Sequence, residues 1–365
     1  MMNKILGLWM VLICSGFMGW AAEGRLLWKE HVLVEVAGGP AIFGDTAAVV
    51  TRSGLVFVFD HRGKLLGRHD IKAAVAAGPS FDEQGRLWLA DLDGQVWRFS
   101  KLGESTRLFT GGKPFRATPL QAQGQVIVCD ESGDLVRLDV ADGRELGRLT
   151  LGKPVFSSGV ILGDGSLLQP SKDYTVFRVS PDNRAQVWFS GSGVLFSSPA
   201  LMGDGRVALT SMDHHLYLLK SDGKAQFRFK SQRWVICSPV IDEGGRIFFG
   251  SYDKHFYAVN PDGKMAWRID GQGGFNASPV IDGEGVVYTG DASGRVYAVS
   301  AGGIILWQYR TGDYVRSPLG LFRDHAVLLV ASLDGYLYAL EAQAPLSQKA
   351  LWPTYLGNER RSGRR

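Results

Sequence analysis

Cysteine is almost missing from this chain. There are three among 365 residues, and Cys14 lies in an apolar leader, which leaves Cys129 and Cys237. Two cysteines build neither a disulfide framework nor a four-thiolate zinc site. They fall in distant parts of the chain and are expected as separate, buried thiols. Long apolar runs are missing too: after residue 21 no segment is long and apolar enough to span a bilayer. Helix-type apolar spacing is absent. So are G-x-S-x-G, H-E-x-x-H and any phosphate loop, which removes the common signatures of serine hydrolases, zinc proteases and nucleotide hydrolases. A basic face is missing as well. Of the formal charge of +4, Lys4 supplies one unit and the tail "NERRSGRR" three, so the body of the chain is neutral. Nucleic-acid binding loses its electrostatic footprint.

The leader is what the sequence shows first. "MMNK" is a short positive start, "ILGLWMVLICSGFMGW" is apolar, and small Gly19 and Ala21 stand where a signal peptidase reads. Residues 1–21 are expected to be a secretory signal cleaved after Ala21, which places the mature protein in the periplasm or outside the cell. Ile13 before Cys14 is bulky, which argues against lipid attachment at that cysteine. Membrane association is expected only if the leader is retained or lipidated.

Glycine is plentiful, at 47 residues, and aromatic or β-branched residues come in short runs broken by D-G, G-G and P-D. That is all-β punctuation. A short unit recurs: GGPA at Pro40, AGPS at Pro79, ATPL at Pro119, SSGV at Gly159, SSPA at Pro199, CSPV at Pro239, ASPV at Pro279 and RSPL at Pro318. The spacing is 39 or 40 residues throughout. Each unit carries an alternating strand with an aromatic slot, filled by Phe57, Trp97, Phe177, Tyr217, Tyr257, Tyr297 and Tyr338; the third unit has Val136. Four antiparallel strands in forty residues make one propeller blade, so the chain predicts an all-β, eight-bladed β-propeller over residues 22–346. Trp28 precedes Pro40 by the interval at which Trp267 precedes Pro279. "EGRLLWKE" therefore reads as the outer strand of a blade whose inner three strands end the repeat region. The N-terminal strand is expected to close the ring and remove its free edges.

The unit "SPVIDGEGVVYTGDASGRVYAVSAGGIILW" resembles the pyrroloquinoline-quinone-like (PQQ-like) propeller repeat. The resemblance implies that an aromatic near the end of each outer strand docks between blades: Trp28, Trp188, Trp267 and Trp307, with Phe227 as a substitute. Gly67, Arg107 and Gly147 depart from that pattern. The ending "LWPTYLGNERRSG" resembles a segment flanking the propeller in secreted bacterial relatives. It is expected to be an extended strap over residues 347–365, with Trp352, Pro353 and Tyr355 packed on the propeller and a disordered Arg-rich end. Two branches of the family bear on function. One comprises quinoprotein dehydrogenases, which hold quinone and calcium over the axis. The other comprises cofactor-free envelope scaffolds of the BamB type. Fold alone does not choose between them.

A calcium–quinone site needs clustered oxygen ligands and a carboxylate base. The loops on the expected ligand face offer only Glu35, Asp70, Asn276 and Asp313, scattered around the ring, and the repeat never stretches to hold an inserted pocket. No PQQ, calcium or other metal is therefore expected, and no catalytic residue is assigned. A quinoprotein would need oxygen ligands at the axis in place of Val36, Val75 and Phe115. The same loops carry Lys113, Arg116, Lys153, Arg233, Trp234, Asn276, Tyr314 and Arg316, a basic and aromatic set suited to a protein or acidic ligand. The competing reading has Arg116 and Arg316 in local salt bridges and Trp234 plugging two blades. His215 and His255 occupy one slot in neighbouring blades, with His214 beside the first. The slot holds unrelated residues elsewhere and is expected to face solvent, so a metal pair is not assigned there. The sequence thus points to an exported, monomeric scaffold that binds an envelope or extracellular protein, with a small quinoprotein oxidoreductase or a carbohydrate-binding propeller as alternatives.

Overall fold

Each forty-residue unit folds into four antiparallel strands because its middle strands are apolar on both faces. In the sixth blade these are Val240–Ile241, Ile247–Gly250, His255–Val259 and Met265–Asp270, running from the axis outward. Their register sets Val240 opposite Phe248, Phe248 opposite Ala258, and Ala258 opposite Trp267. The middle strands are buried almost throughout, since each blade is covered on both faces by its neighbours, while the outer strand is largely exposed. The computed structural model describes residues 21–100 and 104–364. Within them, eight such sheets form a β-propeller with no helix, the seventh carrying Ala22–Glu23 as a short fifth strand parallel to Ile305–Arg310. Residues 1–20 of the leader lie outside the described residues. Among the described residues no helix is long and apolar enough to cross a membrane.

The ring closes through the two ends of the repeat region. Leu26–His31 pairs antiparallel with Tyr336–Glu341 as the fourth strand of the eighth blade, with Trp28 opposite Ala339. Arg25 and Glu341 form an ion pair of 3.0 Å at the end of the same ladder.

The clearest departure from expectation is the C-terminal segment. The innermost strand of a blade has no neighbour on its axial side, so its inward amide needs an acceptor. The tail supplies six. Ile42, Phe81, Gln121 and Ile161 donate to the carbonyls of Glu359, Arg360, Ser362 and Gly363, and Ile241 and Ile281 donate to those of Trp352 and Pro353, all at 2.7–3.1 Å. Trp352 is buried, as expected, and so are Arg361 and Ser362. The Arg-rich end is therefore not a disordered tail. It runs through the middle of the ring, because that is where unpaired amides are available. Gly39 and Gly78 make room for Arg361: a Cβ at Gly39 would lie 2.5 Å from its Nη2 and one at Gly78 3.2 Å from its Nη1.

Candidate functional site

The Ser-Pro unit explains how the axis is built. Each copy stands just before an inner strand, and in the fourth, sixth and seventh its serine hydroxyl faces the blade before. The Thr118 amide donates to Ser158 Oγ at 2.9 Å, Ser198 to Ser238 Oγ at 2.8 Å, and Ser238 to Ser278 Oγ at 2.9 Å. These bonds run around the axis and hold the blades at one radius. Tyr355, carried in by the C-terminal segment, places its hydroxyl 3.2 Å from Ser158 Oγ and 3.5 Å from Ser198 Oγ.

Above Tyr355 lies an open cavity of about 450 Å³. The loops entering the inner strands form most of its wall, and Arg52 and Tyr252 join from the turns between second and third strands. Val36 lines it, but Val75 and Phe115 lie in the buried clusters between blades and are not at the axis. The wall is accordingly half polar rather than apolar. Glu35 is the one carboxylate on it, and two guanidinium groups hold it: Arg52 at 2.9 Å and Arg316 at 3.3 Å. Arg116 also faces the cavity and pairs with Glu131 at 2.7 Å. Asn276 lines the wall while 5% exposed, and neither its Oδ1 nor its Nδ2 has a hydrogen-bond partner. Tyr314 lines it too, and burial, together with the neighbouring Tyr252, pushes its phenol well above the usual range. On the rim, Trp234 stands edge-on to Tyr252 with ring centres 6.0 Å apart. Trp234 is 50% exposed, so it is no plug between blades.

Of the loop residues singled out in the sequence, the structure brings Arg116, Asn276, Tyr314 and Arg316 together on one cavity, with Trp234 beside it against Tyr252; Arg233 does not line it. Lys113 and Lys153 are drawn away, into ion pairs with Asp134 at 3.1 Å and Asp173 at 2.8 Å. Arg52 was not singled out, because it sits in a turn rather than in the loops compared between repeats.

With this geometry in view, the comparisons with known proteins are informative. The family model described as outer membrane protein assembly factor BamB matches residues 20–164 and 172–351. The chain belongs to this family. Among solved structures, BamB from Moraxella catarrhalis superposes with a TM-score of 0.72 at 16% identity, covering 88% of this chain and 98% of that one. Sqt1 from Saccharomyces cerevisiae gives 0.75 at 13% identity, covering 88% and 100%. The computationally designed Ika8 gives 0.71 at 17% identity, covering 88% and 98%. At these identities the likeness shows the propeller alone. No sequence among the curated proteins matches the chain.

In this BamB-family propeller the outer-strand aromatics meet the next blade. Trp28, Trp188 and Trp267 donate their indole N–H to the carbonyls of His61, Ser221 and Ala301 at 2.9–3.1 Å. Glycines at these turns leave the space: a Cβ at Gly63 would stand 2.7 Å from the Trp28 ring, one at Gly263 2.9 Å from Phe227, and one at Gly303 2.7 Å from Trp267. Trp307 has no such turn ahead of it, because the last blade borrows its outer strand. Gly24 of the incoming N-terminal strand takes the turn's place, with a Cβ position 2.6 Å from that ring. Where Gly67 replaces the aromatic, an apolar crevice of about 230 Å³ opens between the first two blades.

The histidine slot is not solvent-facing. The His215 and His255 side chains are 17% and 18% exposed, and each Nδ1 lies against the carbonyl of its own turn Asp, at 2.9 and 2.8 Å. Asp213 and Asp253 also accept from Tyr217 and Tyr257 at 2.5 and 2.8 Å, which locks turn to strand. A different cluster, Asp45, His61 and His325, has ligand-type atoms within 4.8 Å of one another. Its imidazoles stack with centres 3.8 Å apart and planes 10° from parallel, so their lone pairs run side by side. Arg62 Nε donates to His61 Nε2 at 3.3 Å, and His325 Nε2 meets Asp45 at 2.6 Å. The group is a hydrogen-bonded clasp between the eighth and first blades.

Proposed function

We propose that this protein is a non-catalytic, protein-binding scaffold of the bacterial cell envelope, engaging its partner through the cavity face of the ring. One observation carries the reading. The axial cavity opens among exposed aromatic and guanidinium side chains and ends blindly on the protein's own C-terminal segment. Aromatics and Arg are the residues that anchor protein interfaces. The family is that of an outer-membrane assembly factor, and the apolar leader supports export to the periplasm. No quinone or calcium is part of this reading, since the cavity's carboxylate is already shared by two guanidinium groups.

The test is photocrosslinking in intact envelopes, with the reactive group at residue 234 and, separately, on the outer strand at residue 187. A discrete adduct from 234 and none from 187 is expected. No adduct from 234 in any growth phase counts against the scaffold. Titration calorimetry with pyrroloquinoline quinone, with and without calcium, covers the enzymatic alternative: tight, calcium-dependent binding would replace the scaffold by an oxidoreductase.

A further inference from the structure

Six residues on one side of the cavity form an arc. Trp234 abuts Tyr252, Tyr252 and Tyr314 line the wall beside it, and Arg316 reaches Glu35, which Arg52 holds from its other side. The arc is aromatic at its outer end and cationic at its inner end. Two guanidinium groups share a single carboxylate there, and both remain well exposed, with 43% of the Arg52 side chain and 47% of that of Arg316 open to solvent. A second carboxylate would complete the pairing, since a guanidinium fork accepts one in bidentate fashion. Farther in, Asn276 keeps a donor and an acceptor unpaired in the wall. A carboxamide offers the complement of one peptide unit, and buried polar atoms without partners are rare enough to call for one.

Resting on the scaffold reading above, we infer that the axial cavity binds an extended acidic peptide segment of the partner. Its Asp or Glu carboxylate lies between Arg316 and Arg52, its backbone lies on Asn276, and its apolar side chains cover Tyr252 and Trp234. A free small carboxylate satisfies only the inner end. It leaves Trp234, 50% exposed, and Tyr252, 37% exposed, uncovered at the rim. A chain spans both ends, which is why the occupant is a peptide.

The probe is a fluorescein-labelled octapeptide of alternating Asp and Leu, compared by fluorescence anisotropy with the same peptide carrying Asn for Asp. The protein is the full chain from Ala22. The Asp peptide is expected to bind at least tenfold tighter at low salt and to lose that advantage at high salt. Arg316→Gln and Arg52→Gln should each weaken it severalfold. Arg316→Glu should transfer preference to a Lys–Leu peptide, a swap that loss of folding does not produce. Asn276→Ala should weaken Asp and Asn peptides alike; if that variant unfolds, the two Arg variants, made at well-exposed side chains, carry the test. Equal binding of Asp and Asn peptides overturns the inference. So does an Arg316→Gln variant that binds normally, or displacement by succinate at the peptide's own concentration. The residue-234 crosslink separates the two claims. An adduct that survives Arg52→Gln and Arg316→Gln unchanged leaves the scaffold standing and removes the acidic peptide. No adduct with the wild type removes the scaffold, whatever the peptides do.

Discussion

The guanidinium of Arg361 lies 5.2 Å from the centre of the Tyr355 ring. The residue is 2% exposed, its Nη1 has no hydrogen-bond partner, and Nη2 makes one long bond of 3.4 Å to the Pro318 carbonyl. Burial pushes it down to about 10, which still leaves it charged at neutral pH. A buried cation so poorly paired costs desolvation that its partners barely offset. Arg361→Met keeps the volume and removes the charge, and is expected to fall within about 1 kcal/mol of the wild type or above it. Arg361→Ala leaves a hole at the ring's centre and should lose roughly 2–4 kcal/mol. Urea unfolding of the two variants checks the contrast; a larger loss for Met than for Ala would refute it.

Removing residues 348–365 takes away all six carbonyls that the inner strands use. At about 1 kcal/mol for each hydrogen bond, together with the lost burial of Trp352 and Leu356, the sum rivals the whole stability of a domain. The truncated chain should lose near-ultraviolet circular dichroism and cooperative melting. Retention of a sharp transition within a few degrees of the full chain would show that the segment is dispensable.

Trp28→Ala should cost about 3 kcal/mol, since it empties the contact between the closing strand and the first blade. Gly63→Ala should also destabilise, because its φ of 89° is left-handed and its Cβ would meet the indole. The double variant should cost less than the sum of the two, as both act on one contact. Thermal melts of the three variants decide it.

Asp173 is held at about 2. Burial alone would raise it, but hydrogen bonds from Lys153, Ser171 and Thr175 and the Lys153 charge outweigh that. Its folded value lies below the ordinary 3.8, so its contribution is present above pH ~3.8 and is lost as pH falls toward ~2. Asp173→Asn and Lys153→Met should each flatten the fall of melting temperature across that window, lowering it at pH 7, where the contribution is fully present, and leaving it little changed near pH 2. An unchanged acid limb in both would show that the pair is without effect.

Burial raises the Cys129 thiol well above its usual range and lifts Cys237 to about 12. Neither should react with Ellman's reagent in the native protein, and both should react at once in guanidinium. Fast native labelling of either would mean that the blades open readily around it.

The repeat made the ring legible. Eight copies of one unit disclose period, blade count, turn positions and the borrowed strand at Trp28, because each copy checks the others. What occurs once has no second copy to compare. The C-terminal segment was readable as a strap from Trp352 and Pro353, but four Arg in its last six residues look like a solvated tail. Only the unpaired amides of the inner strands show why Arg361 goes inward. The cavity was half visible for the same reason. Arg116, Asn276, Tyr314 and Arg316 sit in loops that the repeat aligns, whereas Arg52 comes from a turn. Lys113 and Lys153 share those loops but have acidic turns within reach.

Leu26–His31 pairs with a strand more than three hundred residues later, and Gly363 accepts from Ile161 near mid-chain. The closing strand must therefore wait, unpaired, until Tyr336–Glu341 has been made, and the hub is filled only once residues 352–363 follow. Contacts of such sequence separation are slow to form. Closure of this ring is thus a late event in folding: a chain cut before residue 336 has an open seam and a hollow centre, and one cut between 342 and 351 has a closed seam around an empty hub.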